Sequence, residues 1–265
     1  MTFKEKKILR IMRRAGKTVR RADLASGGVF KKGEDTANLV TVYDRAVQEY
    51  LKREILRLYP EAVFMAEEQE NDPAVISADC CFVIDPIDGT ANFVHGMKRS
   101  AISVGLLSHG EAVFGAVYDP YLDEMFYATR GGGTFVNGRP ISVSSRPPQD
   151  ALTVFGTTPY EKEYAPVTFA LAEVLFCKTR DVRRSGVAAL DMAYVAAGRC
   201  DMYVEWHLSP WDIAAGILLV REAGGVVSDL DGGEPSRVGR TSVCAATPVC
   251  YDFLLHEAHC ILKEN

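Results

Sequence analysis

The chain has 265 residues, of which 48% are hydrophobic and 25% charged, with a formal net charge of -5 at neutral pH. That length supports a substantial core in one compact unit or two intimately packed halves, and the mild negative balance gives no overall attraction to nucleic acid or anionic membrane. No stretch is long and apolar enough to span a bilayer, the amino terminus lacks the apolar core of a secretion signal, and the seven cysteines include no Cys-x-x-Cys pair, so reduced thiols in a cytoplasmic protein are expected.

From Phe3 to about Ala25, Ile8, Met12, Ala15, Val19 and Ala22 recur at helical spacing and predict an amphipathic helix. Its other face carries Lys4, Lys6, Lys7, Arg10, Arg13, Arg14, Lys17, Arg20 and Arg21 against few acids. Such a face is usually only solvated, but binding to RNA or a partner protein through it is the alternative from a different functional class. Tyr43, Ala46, Val47, Tyr50, Leu51, Ile55 and Leu58 predict a second helix, and the apolar run Val63, Phe64, Met65, Ala66 predicts a strand ending in Glu67-Glu68-Gln69-Glu70. Phe82, Val83 and Ile84 form another strand, expected to stop at Asp85 because Pro86 has no amide to donate. Further strands follow at Ala101 to Leu107, Ala112 to Tyr118 and Glu124 to Ala128, then a hairpin turning at Asn137-Gly138.

Beyond Ser145-Arg146-Pro147-Pro148 the pattern alternates. It predicts a strand at Leu152 to Phe155, a helix at Tyr164 to Cys177, a strand near Asp181 and a helix at Val187 to Ala197. Next come a strand at Met202 to Glu205, a helix at Trp211 to Ala223, strands at Val226 to Ser228 and Ser242 to Ala245, and a closing helix. A boundary near Ile141 is therefore expected between a mainly antiparallel α+β half, residues 1–140, and an α/β half, residues 141–265, packed as layers around a shared cleft.

Three separated segments offer acids. Glu67, Glu68 and Glu70 follow one strand; Asp85 and Asp88 flank a turn; Asp212 lies in the first turn of a helix that Pro210 suits. Singly, these are an acidic patch, a turn and a helix cap. Together they point to one site. Carboxylates about 4 Å apart repel by roughly 4 kcal/mol at an effective dielectric near 20, so such a cluster holds a proton or a cation. All-oxygen ligands favour magnesium, manganese or calcium. Gly89 allows a phosphate to approach the backbone.

The string Asp85-Pro86-Ile87-Asp88-Gly89-Thr90, continued by Asn92-Phe93, with Trp211-Asp212-Ile213-Ala214-Ala215-Gly216, closely resembles the two signature motifs of the inositol monophosphatase family. Leu39-Val40-Thr41-Val42-Tyr43-Asp44 is similar to its early Val-Thr-x-x-Asp segment, and Arg184-Ser185-Gly186-Val187-Ala188-Ala189-Leu190-Asp191 to its substrate-side loop and helix. Asn38 departs from the pattern, standing where many members carry an acid.

The resemblance implies a layered αβαβα sandwich and magnesium-dependent hydrolysis of a phosphate monoester. Two or three ions are implied, with manganese as a substitute. Glu67, Asp85 and the Ile87 carbonyl would hold the first ion, Asp85, Asp88 and Asp212 the second, and Glu67 with waters a weaker third. The implied nucleophile is a water held by these ions near Glu67 and Thr90, with Asp44 hydrogen-bonded to the Thr90 hydroxyl and Glu68 orienting the site from behind. Asp88, Gly89, Thr90 and Asp212 would meet the phosphate, and Gly186, Ala188 and Glu205 the polyol, with Trp206 and His207 at the rim. Inositol 1-phosphate is the expected substrate; fructose 1,6-bisphosphate, NADP and 3'(2'),5'-bisphosphate nucleotides are the alternatives. A homodimer and lithium inhibition are implied as well. His95 is not expected to act as an acid, His256 and His259 are expected at the surface, and Asp229 to Gly233 are expected to form a hairpin turn rather than a calcium loop.

Overall fold

A computed structural model describes residues 1–22, 29–31 and 39–264; Asn38 lies outside them. Helix α1 (Phe3–Arg20) begins at a capping box in which the Thr2 side chain accepts from the Glu5 amide and the Glu5 carboxylate accepts from the Thr2 amide. The helix ends at Arg20, before the expected Ala25, and residues 23–25 are not among those described. Strands β1 (Val29–Lys31) and β2 (Leu39–Thr41) pair antiparallel, an element the periodicity did not predict. Helix α2 (Val42–Leu56) follows, capped by Thr41 and Asp44.

A seven-stranded sheet then runs in chain order through β3 (Val63–Ala66), β4 (Cys81–Asp88), β5 (Ala101–Ser108), β6 (Glu111–Asp119), β7 (Glu124–Thr129), β8 (Thr134–Val136) and β9 (Arg139–Ile141), with the short helix α3 (Thr90–Val94) between β4 and β5. Only β3 and β4 are parallel; the other pairs are antiparallel. The predicted Asn137-Gly138 turn has both residues at positive φ, as a tight hairpin turn requires. The remaining elements are β10 (Leu152–Phe155), α4 (Ala165–Lys178), β11 (Asp181–Arg183), α5 (Ala188–Ala196), β12 (Met202–Leu208), α6 (Pro210–Glu222), β13 (Val226–Ser228), β14 (Thr241–Ala246) and α7 (Tyr251–Glu264). Their strands form a five-stranded sheet in the order β11-β10-β12-β14-β13.

Alternation along the strands builds five layers. Ile8, Met12 and Val19 of α1 and Val47, Leu51 and Ile55 of α2 pack on Phe82, Ile84, Val104 and Phe114 of the large sheet. Its other face, with Val117, Phe126 and Ala128, meets α5 and α6, which also bury Val154, Tyr203, Val243 and Ala245 of the small sheet. Met202, Val204, Cys244 and Ala246 point the opposite way, to Leu171 and Leu175 of α4 and Leu254 and Ala258 of α7. The expected αβαβα sandwich is the fold. Among the described residues no helix is long and apolar enough to cross a membrane.

Helix α6 lies unusually close to the large sheet. Gly105 and Gly115 face each other across β5 and β6, and a Cβ on them would come within 3.1 Å of the Ala214 Cβ and 2.9 Å of the Ala215 carbonyl oxygen. On another side, a Cβ on Gly216 would reach 2.6 Å from the Met192 sulfur of α5. The Ala-Ala-Gly of the second signature is thus a packing feature that seats the helix carrying Asp212. Gly115→Ala should force the helix backbone away, costing about 1–3 kcal/mol. Thermal denaturation should show a lower Tm and steady-state assays a lower kcat; unchanged values for both would show that the close approach is not needed.

Candidate active site

Asp85 and Asp88 are three positions apart, so in a regular strand they would face opposite sides of the sheet. The structure removes that conflict with a bulge. Asp85 pairs with Ser103 and Asp88 with Ala101, so three steps on β4 match two on β5, and the extra residue turns both carboxylates to the same cleft. The strand therefore does not stop at Asp85, as expected from Pro86; it runs to Asp88 because the bulge absorbs the missing donor. The Ile87 amide, freed from the ladder, donates to Asp85 Oδ1 at 3.0 Å.

Because β3 runs parallel to β4, its carboxyl end lies at the same edge, and the Glu67 amide donates to the Ile84 carbonyl at 3.2 Å. The amide of Glu68 donates to Gln48 Oε1 at 2.9 Å, which ties this acidic segment to α2. Asp212 is the third residue of α6 and accepts from the Ser209 amide at 2.7 Å. A cleft of about 230 Å³ is lined by Glu67, Asp85, Ile87, Asp88, Gly89, Thr90, Glu205 and Asp212. Asp44, Gly186 and Ala188 are not among the lining residues.

Burial, then the charges of Glu67, Asp88 and Asp212, hold Asp85 well above the ordinary carboxylate range. Burial and Asp212 raise Asp88, although its Oδ2 accepts from the Ala189 amide at 2.7 Å at the start of α5. Burial and Glu67 push Asp212 up to about 7. Among the described residues no three acid, histidine or cysteine side chains already stand close enough around one point to hold an ion. The acids share a cleft, and their like charges add to burial in raising one another.

Gly89 takes φ +84°, and a Cβ there would come within 2.8 Å of Val187 Cγ2 and 3.0 Å of the Gly186 carbonyl oxygen. Glycine is therefore required both for the turn and for the approach of the Arg184–Gly186 loop. That loop is fixed from two sides. Asn92 Nδ2 donates to the Ser185 carbonyl at 2.9 Å, and Ser185 Oγ donates to the buried Asp191 at 2.6 Å. The Thr90 hydroxyl lies 3.3 Å from Asp44 Oδ1 and 3.1 Å from the Ile87 carbonyl. Asp44, fully buried and raised to about 6 by burial, also accepts from the Thr41 amide at 2.7 Å.

Glu205 accepts from the Tyr203 hydroxyl at 2.7 Å and the Thr158 amide at 3.2 Å, and burial raises its pKa. A Cβ on Gly156 would sit 1.7 Å from its carboxyl carbon, so a glycine that no motif marked makes room for this acid. Trp206 is among the residues that line the cleft, as expected, but it is only 6% exposed and packs in the core with α4 and α7. His207 does line the cleft, with Tyr160 and Arg240; the last two lie in loops without periodicity or motif and gave no sequence signal. His95 and His256 are exposed, whereas His259 is half-buried and its Nε2 contacts the Leu230 carbonyl at 2.5 Å. Asp229 Oδ1 accepts from the Asp231 and Gly233 amides at 3.0 and 2.7 Å, the turn expected there.

The sequence model described as the inositol monophosphatase family matches residues 6–263. A fructose-1,6-bisphosphatase/inositol-1-monophosphatase of Thermotoga maritima is 39% identical over 206 residues, which cover 78% of this chain and 77% of that protein. The Nus factor SuhB of Escherichia coli K12 is 38% identical over 226 residues, covering 85% and 84%. Among solved structures, a Thermotoga maritima IMPase superposes with a TM-score of 0.86 at 34% identity, covering 97% of this chain and 96% of that one. Signatures, fold and these likenesses agree over nearly the full length, and the chain belongs to the inositol monophosphatase family.

Proposed function

We propose that this phosphomonoesterase hydrolyses a polyol phosphate, inositol 1-phosphate before others, with magnesium held by the acids of the cleft. The observation that carries this reading is the β4 bulge, which aims Asp85 and Asp88 at the space shared with Glu67 and Asp212. The donor set fits a hard divalent cation: it is all oxygen, Asp85 and Asp88 are buried, and burial with the neighbouring carboxylates raises Asp85, Asp88 and Asp212, the setting that a cation's charge would offset. Glu67, Asp85 and the Ile87 carbonyl would hold one ion and Asp85, Asp88 and Asp212 another, with a third at Glu67; manganese would substitute. When bound, such ions neutralise the ester oxygens and lower the pKa of a coordinated water.

The chain's own groups supply orientation. The Thr90 hydroxyl, 3.3 Å from Asp44 Oδ1, would take a proton from the attacking water as it gives its own to the Asp44 carboxylate, and Glu67 borders the same water. The Gly89 and Thr90 amides receive the phosphate. Glu205, with Gly186 on the loop braced by Asn92 and Asp191 and Ala188 at the start of α5, receives the polyol hydroxyls. In this division residues 1–140 bring most metal ligands and residues 141–265 complete the pocket.

Seven free cysteines support a reducing, cytoplasmic setting. Phe169 and Phe176, on one side of α4 at seven-residue spacing, are 57% and 58% exposed, which supports a homodimer. Lithium inhibition goes with the weaker ion position. Binding of RNA or a protein by α1 remains the second reading, favoured by exposed Lys6, Arg10, Arg14 and Lys17 on one face.

Phosphate release with magnesium, measured on inositol 1-phosphate, fructose 1,6-bisphosphate, NADP and 3'-phosphoadenosine 5'-phosphate, tests the proposal. Inositol 1-phosphate should give the highest kcat/KM. A nucleotide leading the panel by tenfold or more would remove the polyol assignment.

A further inference from the structure

Along the cleft, three segments meet on one carboxylate oxygen. Glu161 Oε1 lies 3.2 Å from Arg240 Nη1 and 3.3 Å from His207 Nε2. The other ring nitrogen of His207 faces the Tyr164 hydroxyl at 3.4 Å, so the imidazole is held from both ends. Two departures from ordinary backbone geometry aim this group. Thr158 has φ +43° and His207 φ +60°, both uncommon for residues with a Cβ, and the register of β12 shifts between Glu205 and Leu208. Strain of this kind persists where the surroundings impose it, and it gathers at ligand sites. Here the Thr158 hydroxyl, bonded to the Trp206 carbonyl at 2.6 Å, locks the two segments together.

None of these groups is needed to hold a cation or to deliver water. Arg240 and His207 nevertheless line the same cleft as Asp85 and Asp212. Their side chains, and that of Glu161, are 29–41% exposed, and half-exposed ion pairs of this type are weak and exchangeable. A phosphate brings more charge and more acceptor oxygens than one carboxylate, and arginine matches it in a two-pronged geometry. We propose that Arg240 and His207 form a subsite for a second phosphate on the substrate, with Glu161 occupying it as an exchangeable carboxylate while substrate is absent. This rests on the phosphatase reading above and narrows its substrate to include a bisphosphorylated polyol.

The test compares fructose 1,6-bisphosphate with fructose 1-phosphate, which differ only in the second phosphate, on the full-length magnesium-loaded enzyme. Arg240→Gln should lower the ratio of kcat/KM for the bisphosphate over the monophosphate by about tenfold, mostly through KM, and Arg240→Lys should restore part of it. Glu161→Gln should act in the opposite direction and lower KM for the bisphosphate, because the competing carboxylate is gone. Equal losses on both substrates in Arg240→Gln, or a raised KM for the bisphosphate in Glu161→Gln, would overturn the subsite while leaving the phosphatase intact. A wild-type enzyme that hydrolyses neither ester would sink the polyol-phosphate reading instead. The subsite would then be judged by calorimetric affinity for the two sugars, and an unaltered preference in Arg240→Gln would dismiss it.

Discussion

Asp85→Asn is expected to lower kcat by about a thousandfold or more while making the metal-free protein more stable to heat. The carboxylate is 2% exposed and faces Glu67, Asp88 and Asp212. An amide keeps its shape and its hydrogen bond from the Ile87 amide but loses the charge, which is the part that a cation needs and the part that costs the empty site stability. The pH dependence of stability follows from the same burial. Asp85 and Asp88 are raised, and Asp212 moves from 3.8 to about 7. Between those limits the folded state holds protons that the unfolded chain releases, so stability is greatest at the acid end of the window and is lost as pH rises through it. With chelator present, Tm should fall by about 5 °C or more from pH 5 to pH 8. Magnesium, or the Asp85→Asn change, should flatten that slope. Calorimetric scans at the two pH values decide it, and a metal-free Tm that rises with pH would show that these acids do not repel in one pocket. Retention of near-normal magnesium-dependent turnover by Asp85→Asn would remove this residue from the metal site.

Thr90→Ala is expected to lower kcat by about a hundredfold with little change in KM, whereas Thr90→Ser should stay within about tenfold of wild type. The hydroxyl is what links Asp44 to the cleft: it sits 3.3 Å from the buried carboxylate and 3.1 Å from the Ile87 carbonyl. Asp44 keeps its bonds from Thr41 in the alanine variant, and the capping box of α2 is untouched. A loss of turnover would therefore report the proton path and not the fold. If alanine and serine behaved alike, the methyl group rather than the hydroxyl would be what the site requires, and the proposed relay would be abandoned.

Much of this was readable in the sequence because short-range chemistry wrote it there. Helical spacing located α1, α2, α5 and α6, the Asn137-Gly138 pair gave its hairpin, and acids after strand ends and at a helix start gave Glu67, Asp85, Asp88 and Asp212. The errors have equally local causes. Pro86 suggested a strand end because its missing amide is visible in a sequence, whereas the bulge that accommodates it depends on the partner strand. Trp206 lines the cleft beside Glu205 as expected, but its burial with α4 and α7 depends on the small sheet being covered on both faces, which adjacency in the chain does not show. The β1–β2 pair was missed because three-residue strands carry no usable period.

What the sequence alone determined is the list of chemical groups: oxygen donors at three places, a glycine turn and a hydroxyl beside them, each specified within a few residues of chain. The tertiary structure decided which of them share one space. Parity along β4 had to be broken by an extra residue, Gly105, Gly115 and Gly156 had to leave room for a helix and a carboxylate from elsewhere, and Arg240, Glu161 and His207 had to meet from three separate segments. Those are long-range distances, and only packing sets them, since the same dipeptides and lone charges occur in any chain without ever touching.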